Sequence, residues 1–337
     1  MQKSTHLLSK NRSPENSISA SVLSRLLDSY LLACDIASHS DRTIQNRRER
    51  IRGLLWFLGK RGLETCGLDE LRQFMHYLGH GHEEPGGRFG CARLTKASSP
   101  GTIKSYHSSL RTFFNWLVEE GELESSPMER IKPPIDRPDQ IQPFSNDQLR
   151  KLLLAAKKTT HPRRNEAILL LLLDTGIRAS EICSLRVCDL SLQEGSIRVE
   201  GKGGKKRSLH FDRETKKALY LYLAEEERHA DQALFLSDRG RDAGEGLTRQ
   251  GLLVAIRRMG KQAGIASVRC SPHTFRHTFA ISFLRAGGNV FTLKELLGHT
   301  SLAMTNRYVS VAQADLSEAA RRFSPVAHLK RGKLTQS

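Results

Sequence analysis

Apolar residues recur at helical spacing through most of the chain. Val22, Leu26, Leu27, Tyr30 and Leu31 mark one face over residues 20–38, and Ile44, Ile51, Leu54, Leu55 and Leu58 mark one over 42–59. A third helix is expected over 68–78. A fourth is expected over 99–120 through Ile103, Leu110, Phe113, Phe114 and Leu117, whose aromatics stand at core spacing. Between them "GHGHEEPGGRFG", residues 79–90, is broken by glycine and proline and reads as a loop. Its His80 and His82 lack two further ligands nearby, so the loop reading prevails over a metal site.

Residues 124–144, "ESSPMERIKPPIDRPDQIQPF", hold five prolines and no period, which predicts an extended linker. Ser145 then opens a helix with a capping box to Gln148. A Leu-rich buried helix ends at "DTGIRASEI". The strand "SIRVE" (196–200), the turn "GKGG" and a return strand to residue 211 form a basic hairpin. Helices follow over about 213–227, 247–263, 272–286 and 291–297, with shorter ones around Tyr308 and over 312–322. The pattern predicts a mainly α chain: a helical N-terminal domain over 18–125 and a mixed, mostly helical domain with a small antiparallel sheet over 145–325. A flexible 1–17, a linker over 126–144 and a tail over 326–337 complete the division.

Charge narrows the partner. With 53 Lys and Arg against 36 Asp and Glu the formal charge is +17, so a polyanion such as DNA or RNA is the natural partner. The wet face of the second helix carries Arg42, Arg47, Arg48, Arg50 and Arg52. Such a run suits either a solvated face or phosphate contact, and in a chain this basic the first four are candidate DNA contacts. Six cysteines show no C-x-x-C pair and predict reduced, mostly packed thiols. The longest apolar run, "AILLLLL" at 167–173, is too short to span a bilayer, and the N-terminus lacks a secretory core. A cytosolic protein with no membrane partner is expected.

The stretch "SPHTFRHT", residues 271–278, sets His273, Arg276 and His277 along one helix face. Ser271 suits the N-cap and Pro272 the first helical position. A helix start attracts an anion and repels a divalent cation, and the zinc-protease pattern would need Glu where Thr274 stands. Other candidates are Arg178 at the end of a buried helix, Lys202 in the glycine-flanked turn, and His299 with Tyr308 in "GHTSLAMTNRY". Two arginines can grip phosphate oxygens bidentately and stabilise a five-coordinate phosphorus without a metal. A tyrosine hydroxyl can act as nucleophile, and a lysine on a turn can protonate a leaving oxygen.

In "TGIRASEICSL" (175–185), "VEGKGGKKR" (199–207), "HTFRHTFA" (273–280) and "LLGHTSLAMTNRYVSV" (296–311), the sequence resembles the tyrosine recombinases, or phage-type integrases, and the Xer-like branch in particular. The resemblance covers the second domain, and the helical block with "SPGTIKSYHSSLRTFFNWLVEEG" is similar to the family's core-binding domain, which implies a two-domain DNA clamp. It implies that Tyr308 attacks the scissile phosphate, that Arg178 and Arg276 hold it, and that Lys202 is the general acid. His273 and His299 would hydrogen-bond and shuttle protons, and Glu181 would orient the first arginine. Lys205 and Lys206 are rival general acids and candidate DNA contacts. His277 is read as a structural hydrogen-bonding group.

The resemblance further implies double-stranded recombination sites as substrate, strand exchange through a Holliday junction, and a homotetramer or a hetero-tetramer with a related recombinase. Because the phosphotyrosyl link conserves the bond energy, it implies neither ATP nor a metal or other cofactor. The amphipathic tail around Ala312, Leu316, Ala319, Ala320 and Phe323 is expected to dock in a neighbouring protomer. The task is either resolution of replicon dimers or movement of a mobile element, and the long connection "HGHEEPGGRFGCARLTKASS" tilts towards the latter. Two other classes stay open: a type IB topoisomerase with the same chemistry, and a noncatalytic DNA-binding regulator.

Overall fold

The structure, a computed structural model, describes residues 16–82, 86–135, 141–201, 204, 206–237, 244–312 and 326. The chain divides into two compact units, Met1–Asp139 and Gln140–Ser337. It is mainly α-helical with small antiparallel sheets. Among the described residues no helix is long and apolar enough to cross a membrane.

The first unit packs α1 (Ala20–Ile36), α2 (Asp41–Lys60), α3 (Leu68–Leu78) and α4 (Pro100–Glu119). Capping fixes where two of them begin. The Ser40 hydroxyl accepts the Thr43 N–H, and Ser99 accepts that of Thr102 with Pro100 in the first turn. Leu23, Leu27, Ile51, Leu54, Phe57, Leu71, Phe74, Leu110, Phe113 and Leu117 close the core, each Leu contributing about 2 kcal/mol by leaving water. A two-residue pair, β1 (Ile18–Ser19) with β2 (Thr65–Cys66), ties the start of α1 to the start of α3.

Two parts of this unit are more ordered than their sequence pattern predicts. The connection before α4 holds its own contacts: Arg88 donates to the Ser98 hydroxyl at 2.6 Å, and the Phe89 ring meets Trp56 edge-on. In the Pro-rich stretch, Pro127–Arg130 forms a 3-10 turn that buries Met128 in the helical core.

The second unit holds α5 (Asn146–Lys157), α6 (Pro162–Thr175), α7 (Ala179–Ser184), α8 (Arg213–Leu223), α9 (Arg249–Gln262), α10 (Pro272–Arg285), α11 (Val290–Leu297) and α12 (Leu302–Ala312). A sheet in the order β3-β4-β5 joins β3 (Leu190–Ser191), β4 (Ser196–Glu200) and β5 (Lys206–His210), all antiparallel. The expected capping box opens α5: Ser145 accepts from the Gln148 N–H, and the Gln148 side chain accepts from the Ser145 N–H. The Leu-rich helix stops at Thr175, because Gly176 turns left-handed at φ 59°, and α7 is a separate short helix. Helix α8 ends at Leu223, short of the expected 227. Glu225, Glu226 and Glu227 would place three negative charges at a helix C-terminus that already carries partial negative charge.

Most of this unit shares one core around α6, α8, α9 and the sheet. A smaller cluster of Ala280, Ile281, Leu293, Leu297 and Tyr308 joins α10, α11 and α12. The expected helix over 312–322 and its docking lie outside the described residues, apart from Ala312 at the end of α12.

Candidate active site

The site is built around the last turn of α11. A helix end leaves carbonyls without intrahelical partners and carries partial negative charge. Three arginines from three different elements donate to three consecutive carbonyls there. Arg207 Nε bonds the Leu296 oxygen at 3.0 Å, Arg276 bonds that of Leu297 at 2.7 Å, and Arg178 bonds that of Gly298. Gly298 is required by this crowding. It lies at φ 60°, and a Cβ there would come within 3.0 Å of the Arg207 guanidinium and 3.3 Å of that of Arg178.

Each arginine arrives for a local reason. The left-handed turn at Gly176 buries Ile177 and sets Arg178 at the N-cap of α7, where its backbone N–H bonds Glu181 Oε2 at 2.9 Å. Arg276 rides the first turn of α10, whose N-cap Ser271 accepts from the Thr274 N–H as the sequence predicts. Its second donor goes to the Gly176 oxygen at 2.8 Å, so the buried guanidinium is pinned between the ends of α6 and α11. Arg207 comes from β5, facing inward beside Leu209.

One carboxylate sits beneath them. Glu181 accepts from Arg178 at 2.7 Å and from Arg207 at two oxygens, both at 2.9 Å. Burial alone would raise its pKa. The bonds from Arg207 and from the backbone and side chain of Arg178 outweigh that and hold it below the usual carboxylate value. Three guanidinium charges against one carboxylate leave the cradle cationic. Burial and the neighbouring Arg178 bring Arg276 down to about 10, which keeps it charged at neutral pH.

Tyr308 lies against this cradle, 3% exposed, on α12. Burial raises its pKa, opposed by the nearby Arg276 and Arg307 charges. Its hydroxyl lies 3.0 Å from Nδ1 of His277. His299, directly after Gly298, is buried with Nδ1 2.9 Å from the Thr305 hydroxyl, and its ring runs parallel to that of Tyr308 at 6.3 Å. Burial, then Arg276, Arg178 and Arg207, lower its pKa to about 4, so the ring is neutral at neutral pH. His273 is exposed in the first turn of α10.

Of the sequence candidates, Arg178, Glu181, Arg276, His299 and Tyr308 converge on one place, with His273 at its edge. Lys202 and Lys205 lie outside the described residues. Lys206 opens β5 as an exposed residue opposite Glu200. In the first unit, Arg42 is exposed and Arg48 reaches Gln45 at 3.4 Å. Arg47 and Arg50 are engaged within the fold: Arg47 donates to the Cys34 sulfur at 3.0 Å and Arg50 to the Ser109 hydroxyl at 2.9 Å. Sequence reasoning missed Arg207 and Thr305. The signal for Arg207 was strand alternation, which sets it on the face of the buried Leu209. Among the described residues no group of three or more His, Cys, Asp or Glu is placed to hold a metal ion.

A mainly helical chain of two compact units, with guanidinium groups gathered on one helix end beside a tyrosine, has the architecture of a DNA strand-transfer enzyme. Residues 142–315 match the domain described as the phage integrase family, and the chain belongs to that family, the site-specific tyrosine recombinases. Tyrosine recombinase XerD of Listeria innocua serovar 6a is 32% identical over 239 residues, spanning 69% of this chain and 79% of the relative. Tyrosine recombinase XerC of Bacillus pumilus is 32% identical over 278 residues, spanning 78% and 89%. Among solved structures, the XerH site-specific recombinase in its post-cleavage complex with palindromic difH substrate gives a TM-score of 0.65 at 21% identity, covering 90% of this chain and 84% of that one. The Tn1549 transposon integrase with transposon right end DNA gives 0.66 at 18% identity, covering 94% and 100%. At these identities the two structures speak to the fold.

Proposed function

We propose that this recombinase cuts double-stranded DNA by attack of Tyr308 on the scissile phosphate, giving a 3′-phosphotyrosyl link and a free 5′ hydroxyl. Arg178 and Arg276 hold the nonbridging oxygens and stabilise the charge of the five-coordinate phosphorus. Lys202, with Lys205 and Lys206 as the rivals, protonates the departing 5′ oxygen. His299 and His273 hydrogen-bond the phosphate and help move protons. Glu181 fixes Arg178.

The observation that carries this reading is the three arginines on three successive carbonyls of α11. It supports a cationic cradle that is preorganised before DNA arrives, which is what transition-state stabilisation requires. Arg276 uses two of its five N–H donors on carbonyls, which leaves others for a phosphate, and its charge lies close enough to act on the Tyr308 phenol. Arg178 keeps 30% of its side chain exposed, giving DNA a way in.

In this reading the first unit is the core-binding domain and the second the catalytic domain. Strand exchange runs through a Holliday junction in a tetramer on two duplexes, with the segment after α12 docked in a neighbouring protomer. The task is integration and excision of a mobile element or resolution of replicon dimers. The test is covalent capture from a library of random-sequence duplexes carrying a nick, so that loss of the short strand traps the adduct. Wild-type protein should retain DNA after denaturation, and Tyr308→Phe should bind in gel shifts yet retain none. An adduct that persists in Tyr308→Phe would move the nucleophile elsewhere. Relaxation of supercoiled plasmid without paired sites would favour a topoisomerase.

A further inference from the structure

Among the described residues, the phenol of Tyr308 has one hydrogen-bond partner that can take its proton. The neighbouring Arg276 cannot take it, because a guanidinium has no acceptor. The hydroxyl oxygen lies 3.0 Å from Nδ1 of His277, and with that ring protonated on Nε2 the phenol donates its hydrogen to Nδ1. His299 is placed differently. Its Nδ1 faces Thr305 and its ring lies parallel to the phenol ring, 6.3 Å off.

His277 also leads outward. One helical turn back on α10, the His273 ring lies 6.4 Å from it with 27° between the planes. His273 is exposed, His277 half-buried and Tyr308 buried, so the three rings run from solvent to the phenol oxygen. Resting on the reading of Tyr308 as nucleophile, we infer that His277 is a catalytic residue, the base that accepts the phenol proton as the Tyr308 oxygen attacks phosphorus.

The step balances. The O–H bond of Tyr308 breaks and an N–H bond forms at His277 Nδ1, while the Tyr308 O–P bond forms and the P–O5′ bond breaks. The leaving 5′ oxygen takes its proton from the general acid. In rejoining, the 5′ hydroxyl gives its proton back to the general acid as its oxygen bonds phosphorus, the Tyr308 O–P bond breaks, and His277 returns its proton to the phenol oxygen. The chemistry requires such a base because burial raises the Tyr308 pKa, so no phenolate is standing ready. The groups facing His277 are Arg307, His273, Arg276 and Tyr308. Burial, with the first three of these, lowers its pKa to about 4, which leaves its lone pair free at neutral pH. A DNA phosphate seated on Arg276 brings negative charge beside these cations and makes the imidazolium easier to form.

The test uses the full chain and a nicked duplex recovered by covalent capture on the wild-type protein. His277→Asn can keep an acceptor oxygen near Nδ1 but cannot take a proton. His277→Ala leaves space for added imidazole. Both variants should form adduct about 10²-fold more slowly than wild type with unchanged binding in gel shifts, and imidazole should restore His277→Ala by about tenfold or more. Adduct formation at the wild-type rate in His277→Asn, or no rescue of His277→Ala by imidazole, overturns the inference. Tyr308→Phe separates the two readings: if it abolishes the adduct while His277→Asn stays fast, the nucleophile stands and only the base falls. If it leaves the adduct intact, both fall.

Discussion

Arg207 and Glu181 face each other fork to fork, with two guanidinium nitrogens each 2.9 Å from a different carboxylate oxygen. The glutamate side chain is 4% exposed and the arginine 16%, so this pair is largely out of water. It joins β5 to α7, and through the Leu296 carbonyl it joins both to the end of α11. Removing one partner of such a pair leaves a buried charge uncompensated. Arg178 still pairs with Glu181, which limits the loss.

Arg207→Ala should therefore destabilise the protein by about 2–3 kcal/mol in urea denaturation. It should also slow adduct formation while leaving DNA binding close to wild type. Arg207→Lys keeps the charge but cannot make the fork, and should recover only part of both losses. Equal stability of Arg207→Ala and wild type would show that the pair is no buttress.

Gly298 is the tightest point of the cradle. A side chain there would sit at φ 60° and press on the guanidinium groups of Arg207 and Arg178. Gly298→Ala should cost about 1–2 kcal/mol from backbone strain alone. Displacement of the arginines should add a loss of cleavage out of proportion to that cost. Thermal melts and adduct assays on the same preparation separate the two.

Much of this arrangement was legible in the sequence, and the rest was hidden for definable reasons. The helices show themselves because Leu27, Tyr30 and Leu31, or Leu110, Phe113 and Leu117, repeat at their period, and because caps such as Ser145 and Ser271 mark where helices begin. The strands β1, β2 and β3 have two residues each, too few for alternation to register. Arg178, Arg276, His299 and Tyr308 could be singled out because their residue types and local frames carry chemistry. That they share a helix end could not, since Arg178 and Gly298 are joined only by tertiary packing across 120 positions. The sequence presents His277 only as a hydrogen-bonding group, because nothing local reveals that its partner is the hydroxyl of Tyr308, 31 positions on.

The two arginines proposed to hold the phosphate should dominate catalysis. A preorganised donor on a transition-state oxyanion contributes about 3 kcal/mol, or roughly 10²-fold in rate. Arg276→Ala and Arg178→Ala should each slow single-turnover adduct formation by at least that factor. Arg276→Lys should not rescue, because an ammonium cannot bond the Gly176 and Leu297 carbonyls and also reach a phosphate. A rate within threefold of wild type for either alanine variant, if roughly 0.6 kcal/mol is all that is lost, would place the phosphate elsewhere.

Acid should weaken the folded state in two stages. His277 and His299 have pKa values lowered from 6.5 to about 4, so between those limits the unfolded chain binds more protons. Their neutral burial is fully tolerated above pH 6.5, stability declines from there towards pH 4, and below that these two groups cause no further loss. Glu181 acts lower. Its contribution is complete above the ordinary value of 4.5 and disappears as pH falls through its depressed folded-state pKa. Melting temperatures from pH 7.5 down to about pH 4 should fall, and His299→Asn, which can keep a bond to Thr305, should make the fall shallower. A flat profile over that range would mean the imidazoles are not buried neutral.

The four arginines of α2 that are candidate DNA contacts, Arg42, Arg47, Arg48 and Arg50, should separate by what they hold. Arg42 is exposed and Arg48 makes only a 3.4 Å contact to Gln45, so both are free to meet phosphates. Replacing either by Ala should weaken DNA binding for every sequence alike and flatten the log–log salt dependence by about one unit. Arg47 lies over the Tyr30 ring as well as bonding Cys34, and Arg50 bonds Ser109 on α4. Their alanine variants should first cost stability, about 1 kcal/mol each, because each loses a tie between helices. Salt titrations by fluorescence anisotropy beside urea melts would distinguish the pairs. If Arg47→Ala and Arg50→Ala flatten the salt dependence as much as Arg42→Ala while melting normally, their ties to α1 and α4 yield readily to a phosphate, and the whole basic stripe of α2 binds DNA.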